Sequence, residues 1–357
     1  MEHKKLMIKN FKTKEDITSI FIIKYIQLNQ SRDGKEYLNI ILSDASGEIE
    51  ARVWSNAKMI GEKYQKGDVV ECLGKMHLYQ GRRQFTIAKI YSAELDEDLK
   101  LDLIAKASTD SEKMYLDLLS VVESLDDYYL KSLLRIVLED HEIARRLKIW
   151  QAGKTIHHAY EGGLLEHILS CTNLAVFLSD FYSVNKSYVV AGAILHDLCK
   201  IYELSDGTSV DYTDEGKLVG HLVKALEIVD RFTYRIEGFP YKMKLHLKHI
   251  LLAHHGSYEF GSPKIPQTKE AYLLHMIDHM DSKMATLGEI QRKDQTPGNW
   301  SSFVRHLDRV IYKDELPTFN SPIKLDEKKD ISSKKKKTQG ELKQNLGSLL
   351  EGFKVDS

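Results

Sequence analysis

The feature that most constrains this chain is a change of hydrophobic period about a third of the way along its 357 residues. From Asp16 to Tyr91 the apolar residues come in short, largely alternating runs bounded by turn residues, the pattern of half-buried strands. ITSIFIIKYIQL leads through the turn NQSRDGKE to YLNIILSD, and ASGE then joins IEARVW, which predicts a three-strand meander. SNAKMIGEKY predicts a short helix, and KGDVVECLGKMHLYQGRRQFTIAKIYSAE two further strands that turn at residues 79–82. Five strands with a helix between the third and fourth is the plan of an OB-fold, a partly open Greek-key barrel.

After Met114 the period becomes that of helices. MYLDLLSVVESL, YYLKSLLRIVLEDHEIARRLKIW, LLEHILSCTNLAVFLSDFY, SYVVAGAILHDLCKIYEL, LVGHLVKALEIVDRF, MKLHLKHILLAHHG and TKEAYLLHMIDHMDSKMATLGEIQ space apolar residues by three and four. The fold class expected is therefore multidomain α+β: a five-stranded OB barrel over residues 14–95, a linker over 96–113 and an all-helical domain over 114–320. Residues 321–357 turn polar, carry the run Lys334 to Lys337 and end in the amphipathic ELKQNLGSLLEGF, which reads as a Lys-rich flexible tail.

Composition removes several classes. A 42% hydrophobic share rules out wholesale disorder, and Lys+Arg 51 against Asp+Glu 52 leaves a formal charge of -1, which excludes a basic nucleic-acid condenser. Any nucleic-acid contact must then come from a local patch. No uncharged apolar run approaches the roughly 18–20 residues of a bilayer span, and the start MEHKKLMIKNFKTKED lacks a signal-peptide core. Cys72, Cys171 and Cys199 are too few for a disulfide framework or a thiolate zinc site. A cytoplasmic protein without membrane contact is expected.

The unusual count is 15 histidines, most of them in the helical part. His167 borders an inward stripe in GGLLEHILS, and His196-Asp197 interrupts the core run of AILHDLCK. His221 sits in LVGHLV, His254 and His255 end LKHILLAHH, and Asp278 lies within LLHMIDHMD. Burying so many titratable groups is unfavourable unless a shared partner compensates them, and a divalent cation is the simplest common partner. Taken singly, His141, His246, His275, His279 and His306 read as ordinary core or surface histidines. It is the order His, His-Asp, His, His-His, Asp, each group on its own predicted helix, that points to one centre.

These residues resemble the HD-domain metal-dependent phosphohydrolases, whose pattern H…HD…D falls here on His167, His196-Asp197 and Asp278. The wording is closer still to YhaM-type 3′-to-5′ exoribonucleases, which join an N-terminal OB-fold to an HD domain. IHHAYEGGLLEH, LHDLCK, EGKLVGH, AHHGSYEFGSPKIPQTKEA and LHMIDHMDSKM carry the likeness. Cys199 replaces the usual Gly of the HD motif, and Gln151-Ala152-Gly153 stands where Pro-Ala-Ala is usual, neither change removing a ligand. The resemblance implies that His167, His196, Asp197 and Asp278 hold one ion, manganese first among iron, cobalt, nickel, zinc and magnesium. Asp197 would bridge to a second ion at His221 and His254 or His255, with His254 preferred.

The implied reaction is hydrolysis of phosphodiester bonds of single-stranded RNA, with single-stranded DNA as a further substrate, to nucleoside monophosphates. Lys200 is assigned with His196 and Asp197 to the catalytic set, and Lys217 and Lys283 are phosphate candidates. On the barrel, the nucleic-acid contacts expected are Arg32, Lys35, Tyr37, Arg52, Trp54, Lys75, Tyr79, Arg82, Arg83 and Phe85, since OB barrels stack bases on aromatics and track the backbone with cations. A homo-oligomer is expected. Two rivals stay open: an HD phosphohydrolase of free or cyclic nucleotides, and a non-catalytic single-strand-binding adaptor.

Overall fold

A computed structural model of the chain describes residues 6–315 apart from 80–81, 95–98, 100–101, 105–106, 108, 155–157, 208–209 and 295. The expected turn at Gln80-Gly81, much of the expected linker and the whole 321–357 tail lie outside the described residues, as does the side chain of Arg82. The barrel and the helical domain belong to one compact unit that runs to Lys313.

Strands β1 (Asp16–Gln30), β2 (Glu36–Asp44), β3 (Gly47–Val53), β4 (Val69–Tyr79) and β5 (Arg82–Ser92) close a barrel in the order β1-β2-β3-β5-β4, with helix α1 (Ala57–Lys63) between β3 and β4. All neighbours are antiparallel except the parallel pair β3 and β5. Alternation explains the closure. Leu38, Ile40 and Leu42 of β2 and Ile49, Ala51 and Val53 of β3 are buried, so the residues between them face outward. Gly74 marks a register shift in the β4–β5 pair; a Cβ there would lie 2.1 Å from the Thr86 carbonyl oxygen, so the close approach admits only glycine.

The helices are α2 (Ser111–Glu123), α3 (Tyr128–Leu138), α4 (His141–Leu147), α5 (Gly163–Tyr182), α6 (Lys186–Leu195), α7 (Lys200–Glu203), α8 (Asp214–Leu218), α9 (Gly220–Thr233), α10 (Tyr241–Ala253) and α11 (Lys269–Lys293). The stretch from Tyr128 to Trp150, which reads as one helix by period, is two. Asp140 accepts from the Glu142 and Ile143 backbone N–H groups and so caps α4 as a new helix. The run around His196 is likewise two helices, because α6 stops at Leu195 and α7 starts at Lys200, leaving His196-Asp197 in the turn between them.

The expectation of no span-length apolar helix needs correction. By length and composition alone α5 could cross a bilayer, but 44% of that window is buried in the protein. Its buried side, including Leu164, Leu165, Ile168, Cys171 and Ala175, is part of the helical core.

Candidate metal centre

Local sequence brings five helices, α5, α6, α9, α10 and α11, to one point. A Cβ on Gly163 would meet the His158 carbonyl oxygen at 2.1 Å, so glycine alone lets the chain turn into α5, and His167 follows about one turn later. Val189 through Leu195 are all buried, which carries the following His196 and Asp197 inside. His221 starts α9, His254 and His255 follow the end of α10, and Asp278 lies midway along α11.

The donor atoms converge. His167 Nε2 lies 3.2 Å from His196 Nε2, 3.4 Å from Asp197 Oδ2 and 3.5 Å from Asp278 Oδ1. His196 Nε2 is 3.6 Å from Asp197 Oδ2 and 3.8 Å from Asp278 Oδ1. On the other side of the same carboxylate, Asp197 Oδ1 is 3.6 Å from His221 Nε2 and 3.8 Å from His254 Nε2. Most of these separations exceed hydrogen-bond reach. They are the spacing of donors that share an ion at about 2.1 Å each.

All five imidazoles are turned the same way. Nδ1 faces an acceptor in each: Asp281 Oδ2 for His167 at 2.8 Å, the Ala193 carbonyl for His196 at 2.9 Å, and Glu203 Oε1 for His221 at 2.9 Å. The Leu251 carbonyl serves His254 at 2.8 Å, and the Phe260 carbonyl serves His255 at 3.0 Å. Such acceptors keep the proton on Nδ1 and leave Nε2 to act as ligand. His221, His254 and His255 offer donor atoms within 4.8 Å of one another.

Three buried atoms at this point, Asp197 Oδ1, His221 Nε2 and His254 Nε2, make no hydrogen bond. Each orphan of this kind costs about 1–3 kcal/mol. Burial holds His254 and His196 below the usual imidazole range, so both are neutral and fit for coordination. Burial opposes a charge on Asp197, but Lys200, with Nζ at 2.6 Å from Oδ2, and the neighbouring histidines outweigh it and hold the carboxyl well below its ordinary range. Neutral His196 and His254 thus stand beside an ionised Asp197, a donor set that fits a divalent metal ion. Cys171 lies 3.7 Å from His167 Nδ1, and burial pushes its thiol up to about 11, so it stays protonated.

The barrel presents a second surface. With Leu38, Ile40, Ala51 and Val53 inside, Tyr37, Asn39, Arg52 and Trp54 point outward. The register pairs Asn39 with Arg52, and the next step brings Tyr37 against Trp54, their rings stacked at 4.9 Å and 29°. The Arg52 guanidinium sits 5.7 Å from the Tyr37 ring centroid and donates to Asn39 Oδ1. Trp54 is 51% exposed, so about half of its surface is open to solvent.

Comparison with known proteins places both parts. A family model described as HD domain matches residues 164–283, and one described as OB-fold nucleic acid binding domain matches residues 20–93. The 3'-5' exoribonuclease YhaM of Oceanobacillus iheyensis is 33% identical over 304 residues, covering 84% of this chain and 94% of the relative. That of Listeria monocytogenes is 33% identical over 313 residues, covering 87% of this chain and 98% of the relative. The chain belongs to the YhaM 3′-5′ exoribonuclease family.

Within this YhaM-family chain the other expected residues fall in different places. Arg32 and Lys35 are exposed in the β1–β2 turn, near the Tyr37–Trp54 pair, and Tyr79 is exposed at the end of β4. Lys75 pairs with Asp16 at 3.4 Å at the far end of β1, away from that pair. Two expectations are corrected. Phe85 is wholly buried, packed with Phe11 and Phe21 at 6.1 Å, and has no face left for a base. Arg83 donates to the carbonyls of Ile8 at 3.1 Å and Phe11 at 2.8 Å, which ties the N-terminal segment to the barrel.

Lys217 is exposed on α8, and Lys283 is half-buried on α11. His141, His246, His279 and His306 are exposed, while His275 Nδ1–H donates to the His254 carbonyl at 2.8 Å. Sequence reasoning missed the orienting acids of this YhaM-type centre. Asp281 holds His167, His158 at 3.2 Å and Ser170, and Glu203 holds His221. A signal existed for both in spacing: Asp281 is three residues past Asp278, and Glu203 is seven past His196.

Proposed function

We propose that this chain is a divalent-metal-dependent 3′-to-5′ exoribonuclease that hydrolyses single-stranded RNA to nucleoside 5′-monophosphates, with single-stranded DNA as a secondary substrate. The observation that carries the reading is the split of the Asp197 carboxylate between two imidazole sets, His167/His196 and His221/His254. In this reading His167, His196, Asp197 and Asp278 hold one ion, and Asp197, His221, His254 and His255 a second, manganese being the first to test. Ions held there supply charge neutralisation for the phosphodiester and an activated water.

The chain's own residues do the rest. Asp281 and Glu203 hold His167 and His221 in the ligating orientation. Lys200, buried against Asp197, keeps that carboxyl ionised and puts a cation next to the scissile phosphate. Tyr37, Trp54 and Arg52 hold bases and backbone of the incoming strand, as OB barrels do. An intracellular, cytoplasmic setting is supported by three buried free thiols, Cys72, Cys171 and Cys199. We place the enzyme there, as a homo-oligomer of unassigned stoichiometry.

The test is incubation of the protein with manganese and a 5′-labelled single-stranded RNA, alongside Asp197→Ala. The wild type yields a ladder that shortens from the 3′ end, and the variant binds RNA without cutting it. Turnover of free nucleotides with no ladder would favour the nucleotide-hydrolase reading instead.

A further inference from the structure

Residues 299–313 lie beyond both matched stretches, 20–93 and 164–283, within the part expected to be all-helical. They fold back on themselves as an antiparallel hairpin. Ser301 N–H donates to the Ile311 carbonyl at 2.8 Å, Lys313 N–H to Asn299 at 2.8 Å and Val304 N–H to Arg309 at 2.9 Å. Lys313 Nζ fastens the base of the hairpin to Asp294 Oδ1 at 2.9 Å, just past the end of α11. An isolated two-stranded hairpin is marginally stable in water. This one nevertheless leaves Phe303 57% exposed and Arg305 in solvent, an aromatic and a cation with no core to fill.

The hairpin faces the barrel. Ser302, Phe303 and Arg305 line one side of a cleft of about 1250 Å³, and Lys12, Leu78 and Glu50 line the other. Small-molecule pockets run to roughly 300–1000 Å³ and are well enclosed; this open cleft has the size of a polymer segment. Glu50 faces outward two residues from Arg52, so the cleft continues the barrel face that carries Tyr37 and Trp54. Two of its three acids are answered, Glu50 at 3.5 Å from Arg52 and Asp294 held by Lys313, and the third, Glu48, is exposed.

The cleft adjoins the helix that carries Asp278. Lys293, the last residue of α11, lines both this cleft and a smaller recess beside Tyr160. The Tyr160 hydroxyl bonds His158 Nδ1 at 2.9 Å, and His158 Nε2 reaches Asp281, which holds His167. Along α11, Asp281 and Lys293 are about 18 Å apart at ~1.5 Å per residue.

We propose that the hairpin 299–313 is a second single-strand RNA-binding element, which clamps the strand against the barrel face between the Tyr37–Trp54 pair and the metal centre. Phe303 stacks a base, and Arg305 and Lys12 contact phosphates. This rests on the exoribonuclease reading and extends it to a surface outside both family domains.

The test uses the full chain, Phe303→Ala/Arg305→Ala and Arg305→Lys, with a labelled RNA of about 20 nucleotides, longer than the ~16 one barrel covers at most. The double variant should bind it ~5- to 100-fold more weakly. Its salt slope should fall by about one phosphate contact, while Arg305→Lys keeps that slope. Hydrolysis of bis(p-nitrophenyl) phosphate, which needs only the metal centre, should be unchanged in both variants. Unchanged affinity and salt slope in the double variant, with a wild type that degrades RNA, would overturn the clamp and leave the exoribonuclease reading standing. Equal loss on the small diester would also overturn it, since the residues would then act through the fold or the centre. A wild type that hydrolyses the small diester but neither binds nor degrades RNA would defeat both.

Discussion

Asp197 is the residue on which the centre turns, because each of its oxygens faces a different imidazole pair and Lys200 pairs with Oδ2. The ligand candidates were legible in the sequence because histidine and aspartate interrupt runs that are otherwise apolar. The orienting acids were not, since a carboxylate on a helix face reads as solvated surface until its contact is seen. Asp281→Asn and Glu203→Gln test their role. Each should weaken metal binding ~10- to 100-fold by calorimetric titration, with activity recovering as manganese is raised. Activity that is lost and does not recover at saturating metal would assign these acids to the reaction itself.

At the scale of elements, the barrel's strand order and its intervening helix were readable from alternation and turn residues, but the orientation of single rings was not. Trp54 and Phe85 look alike in sequence; Trp54 follows the outward set of β3, whereas Phe85 occupies an inward position and is wholly buried. The same ambiguity hid Arg83, whose guanidinium serves two backbone carbonyls. Likewise the break at Asp140 lies within a continuous helical period and is set by one side-chain cap. The outward pair makes a prediction. Trp54→Ala should lower RNA affinity by about 1–3 kcal/mol, the worth of one stacked base, in a fluorescence-anisotropy titration. Turnover of a small diester should not change. No loss of affinity would move the strand off this face.

Across the molecule, the barrel and the helical domain are joined within one compact unit. The Ala45 N–H bonds the Asp102 carbonyl at 3.0 Å, and Lys66 of the barrel side lies 4.0 Å from Asp211, which Lys154 holds at 2.8 Å. The outward Tyr37–Trp54 pair and the converging histidines therefore lie in one compact unit. The orphaned donors at the centre have a consequence for the whole fold, because an ion that binds only the folded chain adds stability by mass action. Chelation should therefore lower the Tm measured by calorimetry by several degrees (about 2–4 °C per kcal/mol for a chain of this order), and added manganese should restore it. A Tm indifferent to chelation would mean that the centre is satisfied without metal.

The most direct measurement is anomalous diffraction from crystals grown with manganese. Two peaks are expected, one on each side of the Asp197 carboxylate, the first within bonding distance of His167, His196 and Asp278 and the second of His221, His254 and His255. Density at neither position, with the five Nε2 atoms bonded instead to water or to one another, would contradict the account.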